Sequence, residues 1–195
     1  MSDIIREIEE YAHDNNVPIM LSDGIDFMCD YIRDYNVKNI LEIGTAIGYS
    51  AIRMASVSKD IHIDTIERDK NRYLMACSNI KRMGMESQIN AIYSDAMDVS
   101  VDKMGMYDLI FIDASKGHST DFFLKFSPLL AENGVIITDN LSFHGLVEDE
   151  SLAVTKNQKG LVKRIKKFIC FLDNNSEYVT EYISVGDKIS ISRRK

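Results

Sequence analysis

Asn39-Ile40-Leu41-Glu42-Ile43-Gly44-Thr45-Ala46-Ile47-Gly48-Tyr49-Ser50 is the stretch whose reading decides the fold. An apolar run ends in a glycine, and a second glycine follows four residues later. A helix-compatible segment, Tyr49-Ser50-Ala51-Ile52-Arg53-Met54-Ala55, comes next. That order predicts a strand, a tight turn and a helix start. Such a junction offers backbone N–H groups and the positive end of a helix to a bound ligand.

Downstream, short β-rich runs alternate with helical ones. Strands are expected at 61–66, 89–93, 107–112 and 134–138, with helices at 48–57, 69–83 and 119–130 between them. That alternation, with nearly continuous apolar strands, predicts a doubly wound, mostly parallel α/β sheet buried on both faces. Upstream, two amphipathic segments at 3–13 and 22–35 form a helical preface, with Ser22 as the expected N-cap of the second. At the far end, a helix over 158–173 precedes two short strands, 178–184 and 188–192, joined by Val185-Gly186-Asp187. That turn makes a hairpin, so the seven-stranded sheet should finish with an antiparallel strand. Residues 140–156 are polar, acidic and without period, which suits a lid or a solvated connection. One domain is expected, with 1–36 as preface and 37–195 as Rossmann-like core.

Composition narrows the class. The chain has 195 residues, 45% hydrophobic and 27% charged, and a net charge of −7. An acidic chain has no global field for nucleic acid, so any such contact needs a local basic patch. No apolar run approaches the ~20 residues of a membrane span, and Met1–Glu7 lacks the order of a signal peptide. Cys29, Cys77 and Cys170 are odd in number and form no Cys-x-x-Cys. They read as buried thiols of a cytoplasmic protein.

The ligand follows from what surrounds the glycines. A dinucleotide loop wants G-x-G-x-x-G, but here the spacing is Gly44-x-x-x-Gly48 and Ala46 stands in the middle. Glu42, two residues before Gly44, would repel a pyrophosphate and attract an ammonium. S-adenosylmethionine carries an amine and a cationic sulfonium. Glu67, followed by Arg68, ends the second strand, where an acid accepts hydrogen bonds from ribose hydroxyls. Asp95 and Ala96 follow the third strand, placed to meet an adenine edge. Each acid taken singly also suits a helix cap or a solvated charge.

A second group lies further on. Strand 107–112 runs into Asp113-Ala114-Ser115-Lys116, and strand 134–138 into Asp139-Asn140. Asp113, Asp139 and Asn140 offer three hard oxygen ligands, a set that suits Mg²⁺. Lys116, three residues past Asp113, would serve as general base if its pKa is lowered. Caps for the two acids and a surface role for the lysine are the alternative.

Together, Glu42-x-Gly44-x-x-x-Gly48-Tyr49-Ser50, Glu67-Arg68, Asp113-x-x-Lys116 and Asp139-Asn140 resemble the catechol O-methyltransferase family of class I S-adenosylmethionine enzymes, over residues 15 to 195. The resemblance implies a Rossmann-like methyltransferase fold and a homodimer. It implies cofactor contacts at Glu42, Gly44, Thr45, Gly48, Tyr49, Ser50, Glu67, Arg68, Asp95, Ala96 and Asp113, Mg²⁺ ligands Asp113, Asp139 and Asn140, and catalytic Asp113 and Lys116. Asn16-Val17-Pro18-Ile19-Met20 and Phe143-His144-Gly145-Leu146-Val147 resemble its bacterial branch that methylates 5-hydroxyuridine at the tRNA wobble position. The chain departs at Ser115 and at 117–120, where a bulkier, often aromatic residue is expected after the lysine. The family's substrates carry two adjacent oxygens, as a catechol does and as 5-hydroxyuridine does with its 4-carbonyl. The tRNA partner would be met by the basic face of helix 158–173 (Lys159, Lys163, Arg164, Lys166 and Lys167) with Lys156, Arg193, Arg194 and Lys195. The commoner reading of such a face is a solvated helix. His118 and His144 are candidate substrate neighbours or ordinary loop histidines.

Overall fold

A computed structural model describes residues 3–114 and 117–195. Lys116 and Ser115 therefore lie outside the described residues. The chain divides into two compact units, 1–100 and 101–195.

The first unit opens with α1 (Asp3–Asp14) and α2 (Ser22–Asp34). Their apolar stripes bury Ile5, Ile8 and Ala12 on one, and Ile25, Met28 and Ile32 on the other. Ser22 is the first residue of α2 and not its cap, because the cap position is Leu21 with no side-chain hydrogen bond. β1 (Asn39–Ile43), α3 (Tyr49–Ala55), β2 (His62–Glu67), α4 (Lys70–Arg82) and β3 (Ile89–Tyr93) follow. β2 pairs in parallel with both β1 and β3. From Ile40 to Ile43 every residue of β1 is buried, as a central parallel strand requires. Asp69 caps α4 by accepting the Asn71 and Arg72 N–H groups. Gly48 has φ +86, and a Cβ there would stand 3.3 Å from Ala76 of α4. The turn and the helix packing both require glycine at that point.

In the second unit, β4 (Tyr107–Ile112), α5 (Ser119–Phe126), β5 (Leu130–Thr138), α6 (Lys156–Asp173), β6 (Tyr178–Ile183) and β7 (Ile189–Arg194) follow in chain order. β5 starts earlier than the sequence suggests. Its register with β4 jumps between Tyr107↔Leu130 and Leu109↔Val135, so residues 131–134 bulge from the ladder. β5 pairs with β7, and β7 with β6, in antiparallel fashion. The last strand of the chain thus lies inside, and β6 takes the edge. The seven strands form one mixed sheet in the order β3-β2-β1-β4-β5-β7-β6.

α6 begins at a capping box, in which Thr155 and Gln158 satisfy each other's backbone N–H. Its buried stripe is Val162, Ile165, Phe168 and Leu172. Leu161 and Ile169, expected inward, are half-buried. Phe123 of α5 meets Phe168, Phe171 and Tyr178 edge-on at 5.1–6.3 Å, a favoured aromatic geometry. Of the three cysteines only Cys29 is buried; Cys77 is half-buried and Cys170 exposed, which corrects the expectation of three interior thiols. Among the described residues no helix is long and apolar enough to cross a membrane.

Candidate active site

In the first unit the turn after β1 is built on a buried polar chain. Glu42 is wholly enclosed, at 0% exposure. Ser50 donates its hydroxyl to Glu42 Oε1 at 2.5 Å, and Thr65 donates to Oε2 at 2.5 Å. Thr45 and Thr65 share a further hydroxyl contact at 2.6 Å. Burial pushes the Glu42 carboxyl up to about 7, against the two hydroxyl bonds that lower it, and the nearby Glu67 charge adds to the rise. Glu42 is therefore a brace beneath the turn and not an anion exposed to an ammonium.

Other expected cofactor residues are likewise enclosed or bonded within the protein through their side chains. Thr45 is buried. Tyr49, also buried, donates to Glu9 of α1 at 2.6 Å and accepts from Arg53. Arg53 is held in turn by Asp26 of α2. Backbone donors of the turn are also spent internally. Gly44 and Thr45 donate to Ile66 O, Gly48 donates to Thr45 O, and Ala46 donates to Glu67 Oε2 at 2.9 Å. The turn does not present these N–H groups to a ligand, as its sequence suggested. Ala46 sits at φ 46, holding with an alanine the left-handed geometry that the missing middle glycine would take without strain.

Glu67, Arg68, Asp95 and Ala96 follow from the ends of β2 and β3. Glu67 accepts from Ala46 and Asp69 N–H, which fixes its carboxylate between the turn and the start of α4. Asp95 accepts the Met97 N–H at 2.9 Å, and Arg68 lies 3.6 Å from its other oxygen. These preset polar groups suit a nucleoside's hydroxyls and ring edge.

In the second unit the residues after β4 and β5 come together. Asp139 N–H donates to Ile112 O, so the two strand ends stay in step beyond the ladder. Asn140 adopts φ 68, and its amide reaches Asp113 Oδ1 at 2.8 Å and Asp139 Oδ2 at 3.1 Å. Three side chains from two strand ends thus converge within hydrogen-bond distance. Amide orientation follows its surroundings, and a half turn presents Asn140 Oδ1 instead of Nδ2. The set becomes two carboxylates and a carbonyl, which fits a hard divalent cation. Among the described residues no group of three or more His, Cys, Asp or Glu could hold a metal, so the amide is needed to complete this one.

Within 140–156, residues 142–148 are tied down, while 148–152 are exposed. Ser142 donates to Glu148 at 2.8 Å, and Lys188 approaches Glu148 at 3.1 Å. His144 lies 3.9 Å from Asp187. In the sequence Asp187 is marked only as a turn residue. His118 contacts Asp121 at 3.1 Å, the role of an ordinary loop histidine. On α6, Arg164 lies against the loop after β4, since a Cβ on Gly117 would stand 3.3 Å from its Nε. Lys166 pairs with Glu150, whereas Lys156, Lys159, Lys163, Arg164 and Lys167 have no carboxylate partner among the described residues. The C-terminal cations are spent locally: Arg193 on Glu181, Arg194 on Ser127 O and Tyr178, Lys195 on Asn175 O.

Comparison with known proteins adds a family. A family model described as O-methyltransferase matches residues 1–195. A solved putative caffeoyl-CoA O-methyltransferase from Staphylococcus aureus superposes with a TM-score of 0.94 at 38% identity, covering 100% of this chain and 93% of that one. A putative caffeoyl-CoA O-methyltransferase of Arabidopsis thaliana is 28% identical over 96% of this chain and 82% of its own length. A catechol O-methyltransferase of Niastella koreensis is 37% identical over 58% of this chain and 54% of its own length.

Proposed function

Since the chain belongs to the O-methyltransferase family, we propose that it transfers a methyl group from S-adenosylmethionine, with Mg²⁺, to 5-hydroxyuridine at the tRNA wobble position, giving 5-methoxyuridine. The observation that carries the chemistry is the meeting of Asp113, Asp139 and Asn140 at hydrogen-bond distance. These three would hold the cation. A divalent cation held by them would supply Lewis-acid chemistry, lowering the pKa of an acceptor hydroxyl that has a second oxygen beside it. Lys116 takes the proton. The deprotonated oxygen attacks the methyl carbon, the C–S bond breaks, and S-adenosylhomocysteine leaves. Glu67, Arg68, Asp95 and Ala96 receive the nucleoside half of the donor. The Glu42 brace fixes the turn that faces its methionine half, so donor geometry is set before the acceptor arrives.

A tRNA acceptor is supported by α6. Its unpaired cations form a positive face on a chain whose net charge is −7, and phosphate contacts dominate nucleic-acid affinity. The second reading, a catechol or caffeoyl-type ester, is supported by the likeness to caffeoyl-CoA and catechol O-methyltransferases. Either acceptor has the adjacent oxygen pair that the site requires. The reading carries with it a cytoplasmic homodimer, which sedimentation and fractionation test.

The deciding experiment incubates labelled S-adenosylmethionine with tRNA from cells lacking the gene, beside catechol and caffeoyl esters. Label in the wobble nucleoside is expected. Label in the small molecules alone gives the case to the second reading. Asp113→Ala should abolish turnover while leaving S-adenosylmethionine affinity within a few-fold. Full turnover in EDTA would remove the metal from the mechanism.

A further inference from the structure

The turn between β6 and β7 holds a carboxylate that the chemistry above does not use. Asp187 is 7% exposed. Burying a charge there is unfavourable unless its partners repay the lost hydration. One oxygen, Oδ1, accepts the His144 N–H at 2.6 Å. The other, Oδ2, is buried without a hydrogen bond, as is Ser190 Oγ three residues on. A buried, half-satisfied carboxylate is unfavourable for stability and points to a task in the folded state.

Its surroundings identify that task. The segment that begins at Asn140 carries four residues at positive φ: Asn140 at 68, Phe143 at 50, His144 at 56 and Gly145 at 84 degrees. Left-handed geometry is unfavourable by roughly 1–2 kcal/mol for an ordinary residue, so Phe143 and His144 are held there rather than resting there. Bonds within the segment contribute (Gly145 N–H to Ser142 Oγ, Val147 N–H to Ser142 O), and the β6–β7 turn braces it from outside. Leu141 N–H donates to Lys188 O at 2.9 Å, Ser142 N–H to Asp187 O at 2.9 Å, and His144 N–H to the Asp187 carboxylate. Three of the four residues after Asn140 are thus docked on two consecutive residues of one turn. The only side-chain acceptor among those docking bonds is Asp187.

We propose that Asp187 is the positioning residue of the metal centre: by clamping His144, it keeps the strained segment in the path that sets the Asn140 amide against Asp113 and Asp139. This rests on the reading that these three side chains hold a cation. Asp187 touches neither substrate nor cation. It acts through the backbone of residues 141–144, as supporting partners of metal ligands do, and loss of such partners typically lowers metal affinity 10–100-fold.

The test is Mn²⁺ binding to the full-length protein, by calorimetry and paramagnetic resonance, with S-adenosylmethionine affinity and cooperative thermal unfolding as controls on the fold. Asp187→Ala should weaken Mn²⁺ binding by about tenfold or more, with S-adenosylmethionine affinity unchanged. Asp187→Asn keeps an oxygen for the His144 N–H, and should restore Mn²⁺ affinity to within about threefold of the wild type. Hydrogen exchange at the His144 amide should accelerate in the first variant and return to wild-type protection in the second. Where Asp187→Ala does not fold, Asp187→Ser serves, since it keeps a polar group but shortens it beyond reach of His144. Wild-type Mn²⁺ affinity in a folded Asp187→Ala or Asp187→Ser protein overturns the proposal and leaves the metal centre intact. Failure of the wild type itself to bind Mn²⁺ overturns both, and the two failures are told apart by that control.

Discussion

Glu42 shows how far a residue's role depends on what folds over it. In the sequence it is an acid beside a glycine, and its charge suggests attraction for a cation. In the fold it is sealed between Ser50 and Thr65, with its carboxyl pushed up to about 7. The unfolded chain releases that proton near the ordinary value of 4.5, whereas the folded state keeps it to about 7. The folded state therefore binds more protons across this window, and this group's contribution to stability falls as pH rises from about 4.5 to about 7. The loss is on the order of 3 kcal/mol. Glu42→Gln keeps the shape and can bond both hydroxyls without a charge. Denaturant unfolding from pH 5 to 8 should show the wild type losing stability relative to Glu42→Gln as pH rises; parallel curves would mean that Glu42 is ionised throughout.

At the scale of elements, β5 is legible at one end and not at the other. Val135-Ile136-Ile137-Thr138 can be read because a strand buried on both faces must be apolar along its length. The beginning of β5 cannot. Leu130 pairs with Tyr107 only because residues 131–134 bulge out. Gly134 permits that bulge by close approach, since a Cβ there would lie 2.8 Å from Leu130 Cδ1 and 3.0 Å from Tyr107 O. A backbone oxygen cannot rotate away as a side chain can. Gly134→Ala should destabilise the protein by about 1–3 kcal/mol, read as a lower urea midpoint at unchanged slope. A midpoint equal to the wild type would show that the strands shift freely. Thr155 is the converse, a cap whose partner Gln158 is three residues away and whose signature is short enough to be read locally, although the periodicity predicts a helix start two residues later, at 158.

For the whole molecule, the balance of charge sets which partners can approach. The chain is acidic overall, yet α6 carries five cations without a carboxylate partner among the described residues. Reversing Lys163, Arg164 and Lys167 to Glu should weaken tRNA binding and flatten its dependence on salt, by roughly one unit of slope for each phosphate that is no longer neutralised. S-adenosylmethionine affinity would report an intact fold. An unchanged salt slope would show that tRNA does not use this helix. Arg193, Arg194 and Lys195 are expected to matter little, because their side chains already bond within the protein.

The sequence by itself determined the alternation of strands and helices, the final antiparallel pairing, and the two groups of acids at strand ends. Those signals are local: periodic burial, glycine at a forced turn, and an acid next to the strand that delivers it. Only the tertiary structure decided which of those side chains are enclosed beneath the turn and which distant partners they bond. Glu42 is answered by Thr65, 23 residues away, and Tyr49 by Glu9, 40 residues away. Asp187 clamps His144 across 43 residues. The state of a buried polar group depends on whichever partner the fold brings to it, and no periodicity along the chain records that partner.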